Sequence, residues 1–227
     1  MIEIAGLVHG ILSVPSLRIG EGHTALIGEN GSGKSTLLSL LSGIAVPHKG
    51  RITIDGRLPR QVDVGWVTEF PDQSILFTRV DDEIASPSRF AGIPCREVER
   101  RVDAAARLVG IEDFLPRTVR ELSGGERALV ALATALSTDP EVLVLDEFDS
   151  HLDGETAEVV EEALSRSRCR YCVRCTQDMA TAARADTVLY LEKGRVGEIG
   201  TPAAVFAARE QTCFYPPLWR IARGRQA

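Results

Sequence analysis

Three short, largely apolar runs along the chain each end at glycine or at polar residues. These runs cover residues 24–27, 62–67 and 142–145. Runs of this length with such boundaries are typical of buried strands in a parallel sheet. Apolar residues at helical spacing lie between them, over residues 35–41, 96–109 and 126–136. Strands that alternate with helices predict a mostly parallel α/β sheet.

Two other regions depart from that alternation. Residues 1–22 and 48–57 have the pattern of short strands with turns, and we expect them to form a small antiparallel sheet. Residues from about 72 to 122 are mostly helical in pattern, which indicates an inserted helical subdomain. The predicted fold class is therefore α/β, as one domain over residues 1–227 that combines a parallel core sheet, a small β-subdomain and a helical insertion.

Composition narrows the class of partner. The chain is 44% hydrophobic and 26% charged, as in an ordinary globular protein. Its formal net charge of −6 argues against nucleic acid as the main partner. The sequence has no run near the roughly 20 apolar residues that span a bilayer, and its first ten residues do not resemble a signal peptide. We therefore expect any membrane role to require a partner protein.

A glycine-rich loop follows the first apolar run and precedes a helical pattern. Residues 28–35 read G-E-N-G-S-G-K-S, a full match to the phosphate-loop pattern G-x-x-x-x-G-K-[ST]. Glycines let the backbone N–H groups and the helix N-terminus face an anion. We expect Lys34 to reach the β- and γ-phosphates of ATP, and the Ser35 hydroxyl to bind Mg²⁺. The predicted ATP-binding residues are Gly28, Glu29, Asn30, Gly31, Ser32, Gly33, Lys34, Ser35 and Thr36.

Two carboxylates end the apolar run at residues 142–145. Acidic residues are common where strands give way to loops, so a solvated strand end is the structural alternative. A phosphate loop in the same chain favours a catalytic interpretation. We then expect Asp146 to hold Mg²⁺ and Glu147 to accept the proton of the attacking water.

Residues 122–126 read L-S-G-G-E and precede the third helical pattern. Ser123 and Glu126 are spaced as a capping box, which is a sufficient structural explanation for both residues. A Ser-Gly-Gly helix start is also a site for anions. The three motifs in this order resemble the ATPases of ABC transporters, whose signature is commonly LSGGQ. The resemblance implies a P-loop ATPase fold and a homo- or heterodimer in which one subunit covers the ATP of the other with Ser123, Gly124, Gly125 and Glu126.

Residues 150–153, S-H-L-D, resemble the loop that crosses the dimer interface in that family, whereas two other positions depart from the family pattern. Glu69 stands where the family usually has Gln, and it could ligate Mg²⁺ while adding negative charge near the γ-phosphate. Gln177 stands where the family usually has a His that contacts the γ-phosphate, and it keeps an amide donor without a charge. We expect slow hydrolysis, or a subunit that binds ATP beside a more active partner. His9 is the candidate for stacking on adenine, and an exposed strand-end His is the equal alternative.

Residues 70–73, 76–77 and 80–84 resemble the ATPases of energy-coupling factor (ECF) importers, which take up vitamins or cobalt and nickel ions. Residues 215–222 resemble the start of the C-terminal extension of that group, expected here over about 202–227. The resemblance implies an integral membrane subunit that docks between Gln73 and Phe77, and a peripheral location on the cytoplasmic face of the membrane. A soluble ABC ATPase of DNA repair or ribosome function is the alternative, against which the acidic charge and the lack of a coiled-coil insertion argue.

Three cysteines at positions 169, 172 and 175 superficially resemble an iron–sulfur motif. Residues 171–176 are expected to form a buried strand, on which a spacing of three sends successive side chains to opposite faces. We therefore expect small buried thiols and no cluster.

Overall fold

A computed structural model of the chain describes residues 1–150 and 152–224, and for residues 72, 73 and 222–224 the backbone alone. His151 of the predicted interface loop, the side chain of Gln73 and the last three residues of the predicted extension lie outside the described residues. The described residues form two compact units, one of Met1–Val62 with Arg170–Ala227 and the other of Asp63–Cys169.

The first unit contains seven of the strands in the described residues and four of the helices. Its strands are β1 (Ile2–His9), β2 (Leu12–Ile19), β3 (Gly22–Ile27), β4 (Lys49–Ile54), β7 (Tyr171–Cys175), β8 (Thr187–Glu192) and β9 (Arg195–Gly200). Its helices are α1 (Lys34–Leu41), α7 (Met179–Ala182), α8 (Pro202–Ala207) and α9 (Pro217–Gly224).

The small antiparallel sheet predicted for residues 1–22 and 48–57 is confirmed. Its strand order is β2-β1-β4, with Ile4 opposite Leu17 on one side and opposite Ile52 on the other. All three side chains are buried, because alternate residues of each strand face the same side of a sheet.

The parallel strands of this unit carry the phosphate loop. Strand β3 lies between β7 and β8 and runs parallel to both, with Leu26 opposite Cys175 and Leu189. Strand β9 pairs antiparallel with β8. Four of the six residues of β3 and all five of β7 are buried, since parallel strands are covered on both faces. Cys172 and Cys175 are buried in β7, as expected for thiols of a core strand.

The second unit contains strands β5 (Val64–Val67) and β6 (Val142–Asp146) and helices α2 (Pro71–Ser74), α3 (Val80–Phe90), α4 (Cys95–Val109), α5 (Gly124–Leu136) and α6 (Gly154–Arg166). Helices α3, α4 and α5 pack against one another, and α5 packs on β5. At Gly65 a Cβ would lie 2.6 Å from the carbonyl oxygen of Ala135, so this strand and helix can approach only at glycine. That residues 72–122 form a separate subdomain stays a prediction.

Candidate nucleotide site

The loop between β3 and α1 has a backbone that only glycine adopts readily. Gly28, Gly31 and Gly33 have φ values of 150°, 78° and 101°. A Cβ on Gly28 would lie 2.2 Å from the carbonyl oxygen of Leu191, and one on Gly33 would lie 2.8 Å from a methyl group of Leu12. Two of the three glycines are therefore required both by conformation and by space.

The N-terminus of α1 opens directly from this loop. Gly33 is its N-cap, and within the described residues neither a side-chain cap nor an acidic residue occupies its first turn. The first intrahelical bond runs from the Leu37 N–H to the Gly33 carbonyl at 2.9 Å. Backbone N–H groups at a helix start that no side chain caps form an anion site, and the helix dipole adds to it.

Lys34 places a positive charge over the same loop. Its side chain is 5% exposed, and its ammonium donates to the carbonyl oxygens of Gly28 at 2.9 Å and Glu29 at 3.2 Å. The hydroxyl of Ser32 is buried and has no hydrogen-bond partner among the residues that the structure describes. A buried ammonium, backbone N–H groups that no side chain caps and an unused hydroxyl around a loop of glycines fit the oxygens of a triphosphate.

Gln177 follows β7 and contacts the phosphate loop. Its side-chain amide donates to the side-chain oxygen of Asn30 at 3.3 Å. The next residue, Asp178, caps α7 by accepting from the N–H groups of Ala180 at 3.1 Å and Thr181 at 3.0 Å. The cap fixes the chain direction just after Gln177, which explains why an exposed side chain there is directed at the loop.

The carboxylates of the predicted catalytic strand end belong to the second unit. Strands β5 and β6 are parallel, with Val67 opposite Leu145. The segments that contain Glu69 and Glu147 therefore leave the same end of this strand pair. Glu147 has a φ of 49°, in the left-handed region that costs a non-glycine residue about 1–2 kcal/mol. Strain of this kind is concentrated at functional sites, where it fixes a side chain in a required direction.

The helix start at Ser123 has the predicted capping box. The Ser123 hydroxyl accepts from the Glu126 N–H at 3.2 Å, and the Glu126 carboxylate accepts from the Ser123 N–H at 2.6 Å. The bond from the Ser123 N–H, followed by the Ser123 side chain, lowers the pKa of Glu126. A Cβ on Gly125 would lie 3.1 Å from the hydroxyl of Thr156, so α6 also restricts this helix start. The structural role of Ser123 and Glu126 is confirmed, and their contact with a nucleotide stays a prediction.

The structure brings two further groups to the phosphate loop that sequence reasoning missed. The Gly194 N–H donates to the Ser32 carbonyl at 2.9 Å, and the Leu191 carbonyl lies against Gly28. Backbone groups leave no signal in a residue pattern. His48 was also missed, and its ring lies 4.3 Å from that of His9. The Nδ1 atom of His9 is buried and has no partner within the described part of the chain. A contact of His9 with adenine stays a prediction.

None of the described helices is both long enough and apolar enough to cross a membrane.

The chain has a glycine phosphate loop that joins a parallel strand to a helix, an acidic strand end and a capped Ser-Gly-Gly helix. Together these features define an ATPase of the ABC type. A family model for the ABC transporter matches residues 12–150. The energy-coupling factor transporter ATP-binding protein EcfA1 of Latilactobacillus sakei is 38% identical over 203 residues, which are 85% of this chain and 72% of that protein. The protein of the same name from Lactiplantibacillus plantarum is 36% identical over 192 residues, 80% of this chain and 68% of that protein. The chain belongs to the ABC transporter ATPases and, among them, to the ECF ATP-binding proteins.

Solved structures agree with this assignment. The structure of cbiO1 from Clostridium perfringens, described as part of the ABC transporter complex cbiONQ, is 28% identical, with a TM-score of 0.82 over 92% of this chain and 91% of cbiO1. The dimeric ATP-binding cassette MJ0796, bound to ADP and Pi, is 22% identical, with a TM-score of 0.77 over 89% of this chain and 99% of that chain, which shows the fold alone. The predicted ABC ATPase fold and the resemblance to ECF ATPases are confirmed.

Proposed function

We propose that this chain is the ATP-hydrolysing subunit of an ECF-type importer for a vitamin or a transition-metal ion. The observation that carries the proposal is the phosphate loop, where no side chain fits at Gly28 or Gly33 and where the Lys34 ammonium is held over the loop. The names of the curated relatives and the description of cbiO1 as part of a transporter complex support a role in transport.

Bound ATP would supply the bond to be cleaved, and Mg²⁺ would neutralise its phosphates. Lys34 and the N-terminus of α1 would hold the phosphates, and the Ser35 hydroxyl, Asp146 and Glu69 would hold Mg²⁺. Glu147 would accept the proton of the attacking water. Gln177 would donate its amide, which has two N–H donors and already bonds to Asn30, to the γ-phosphate.

Two copies of this chain, or this chain and a paralogue, form the active dimer. Residues 123–126 of one subunit cover the nucleotide on the other. An integral membrane subunit docks between Gln73 and Phe77, which places the chain at the cytoplasmic face of the membrane. The ATP-binding cassette MJ0796, which has the same fold, is a dimer in its solved structure.

A second candidate is a nucleotide-gated subunit that binds ATP and scarcely hydrolyses it. Two observations favour it. Gln177 is uncharged and its amide is hydrogen-bonded to Asn30, and Glu69 follows β5, whose parallel partner β6 leads into two further carboxylates. ATP affinity compared with single-turnover hydrolysis separates the two candidates, because only the second combines tight binding with no measurable turnover.

The main proposal is tested on the purified full chain. It is also tested on the membrane complex, which is isolated through a tag on this chain. Lys34→Ala is expected to lower ATP affinity at least about tenfold, whereas Lys49→Ala, a change at an exposed position in β4, leaves it unchanged. In liposomes the complex should take up a vitamin, Co²⁺ or Ni²⁺ when supplied with ATP, and Glu147→Gln should abolish uptake. Failure of the wild-type chain to bind ATP with Mg²⁺, or its isolation with ribosomes or DNA in place of a membrane protein, would overturn the proposal.

A further inference from the structure

Glu83 is a buried carboxylate in the first turn of α3. Its side chain is 4% exposed, and one oxygen, Oε2, accepts from the backbone N–H groups of Leu76 and Phe77, each at 2.8 Å. A carboxylate with so little exposure must be compensated by hydrogen bonds, because its transfer out of water is costly. The two N–H groups supply that compensation, so Glu83 and the loop before α3 hold each other in place.

The loop that Glu83 holds presents an apolar surface. Leu76 is 74% exposed, and Phe90 at the other end of α3 is 73% exposed. The ring of Phe77 lies 6.3 Å from that of Phe90. Leu76 and Phe90 border a groove of about 290 Å³ to which Trp66 also contributes. Large apolar side chains at this exposure indicate a surface that a partner covers.

The same loop is tied to the segment that leads into the Ser-Gly-Gly helix. The Thr78 carbonyl accepts from the Val119 N–H at 2.8 Å, and the Val80 N–H donates to the Arg117 carbonyl at 3.2 Å. Arg79 forms an antiparallel bridge with Thr118 between these two bonds. A short 3-10 turn over Val119–Glu121 follows, and Ser123 then caps α5.

A continuous series of hydrogen bonds thus runs from the apolar groove to the start of α5. The Glu83 carboxylate binds the N–H groups of residues 76 and 77, and residues 78–80 pair with the 117–119 segment around the bridge. The 3-10 turn that follows leads to Ser123 at the start of α5. A loop that is hydrogen-bonded at one point only would bend when a partner displaced it. A loop fastened at adjacent residues along its length transmits displacement to the next element.

We propose that Glu83 is a positioning residue that holds the 75–79 loop rigid, so that movement imposed by the membrane partner in the groove reaches the 117–123 segment and its Ser123. The inference rests on the proposed function, because it takes the groove as the docking site of the membrane subunit. Glu83 itself also lines the groove, and the proposal concerns its bonds to the loop, which Glu83→Gln retains.

The first test is hydrogen exchange on the isolated full chain. Glu83→Ala should accelerate exchange of the Leu76 and Phe77 amides at least about tenfold, and that of Val119 to a smaller extent. Glu83→Gln should restore slow exchange, because both bonds go to one oxygen that the glutamine carbonyl can replace. Glu99→Ala, at an exposed position on α4, is the matched control and should change nothing. Unchanged exchange at residues 76 and 77 in Glu83→Ala would overturn the proposal.

The second test uses the membrane complex isolated through a tag on this chain. Glu83→Ala should leave basal hydrolysis and ATP affinity of the isolated chain unchanged and lower ATP-driven uptake by the complex at least about fivefold, with recovery in Glu83→Gln. Phe90→Ala, which alters the groove and leaves the loop bonds intact, should weaken assembly without altering exchange. If Phe90→Ala reduces assembly while Glu83→Ala transports normally, the inference fails and the docking site stands. If neither variant affects assembly or uptake, docking in this groove fails as well.

Discussion

The side-chain amide of Gln177 donates to the side-chain oxygen of Asn30 at 3.3 Å, which joins the end of β7 to the phosphate loop. Both residues belong to the first unit, so the bond is internal to one compact part of the chain. The Gln177 amide has two N–H donors, so we expect the bond to Asn30 to orient the amide that would donate to phosphate. We therefore expect loss of this bond to change the hydrolysis rate.

The Gln177–Asn30 pair should be coupled in a double-mutant cycle. Gln177→Ala and Asn30→Ala should each slow single-turnover hydrolysis, and the coupling energy between them should be about 0.5–1.5 kcal/mol, as for a neutral hydrogen bond. Gln177→His should introduce a pH dependence of the rate near about pH 6.5, which the wild-type residue cannot supply. Additive effects of the two alanine changes would show that the bond does not matter for hydrolysis.

Gly28 and Gly31 allow the loss of unfolding free energy on adding a side chain to the loop to be compared at two positions. At Gly28 a Cβ meets the Leu191 carbonyl at 2.2 Å, whereas at Gly31 no atom of the described residues lies within 4 Å. Gly31→Ala should cost about 1–2 kcal/mol of unfolding free energy from backbone conformation alone. Gly28→Ala should cost more, about 3 kcal/mol or above, because overpacking adds to conformational strain. Urea unfolding of both variants measures the difference, and equal costs would contradict the contact with Leu191.

Replacement of Glu147 by glycine should keep or raise the unfolding free energy while it lowers the hydrolysis rate. Glu147→Gly removes the conformational cost of a side chain at a φ of 49°, so the unfolding free energy should stay the same or rise by up to about 1 kcal/mol. Hydrolysis should fall at least about a hundredfold, because the proton acceptor is lost. Glu147→Gln is the control, since it loses the base and keeps the strain. A clear loss of stability in Glu147→Gly would mean that contacts of the side chain outweigh the strain.

Glu126 should contribute to the acid sensitivity of the fold. Its pKa is lowered chiefly by the bond from the Ser123 N–H, so the ionised form stabilises the folded state. This stability is fully present above the unfolded pKa of about 4.3 and is lost as the pH falls through the lower folded pKa. Glu126→Gln should therefore flatten the fall in unfolding free energy below about pH 4.5. Urea unfolding across pH 3–6 tests this, with Glu99→Gln as the exposed control, and an unchanged acid limb would contradict it.

Local patterns in the sequence were enough for the fold class and for much of the site. The short, largely apolar runs predicted β3, β5 and β6, since strands of a parallel sheet that is covered on both faces are rich in apolar residues. The spacing of Ser123 and Glu126 predicted the capping box that the structure shows, because both bonds lie within one helical turn. The phosphate loop was predicted by its glycines for the same reason, since its function depends on consecutive backbone groups.

Only the tertiary structure decided which distant groups support these motifs. Three contacts come from elsewhere in the chain or from the backbone. They are the Leu191 carbonyl that excludes a side chain at Gly28, the His48 ring beside His9, and the amides that bind Glu83. Side-chain periodicity records which face of an element is buried. It does not record which atoms meet there, because many pairings of elements bury the same apolar area. The sequence by itself therefore determined the elements and the nucleotide loop, and the folded chain determined the contacts that hold the loop, aim Gln177 and fix Glu83.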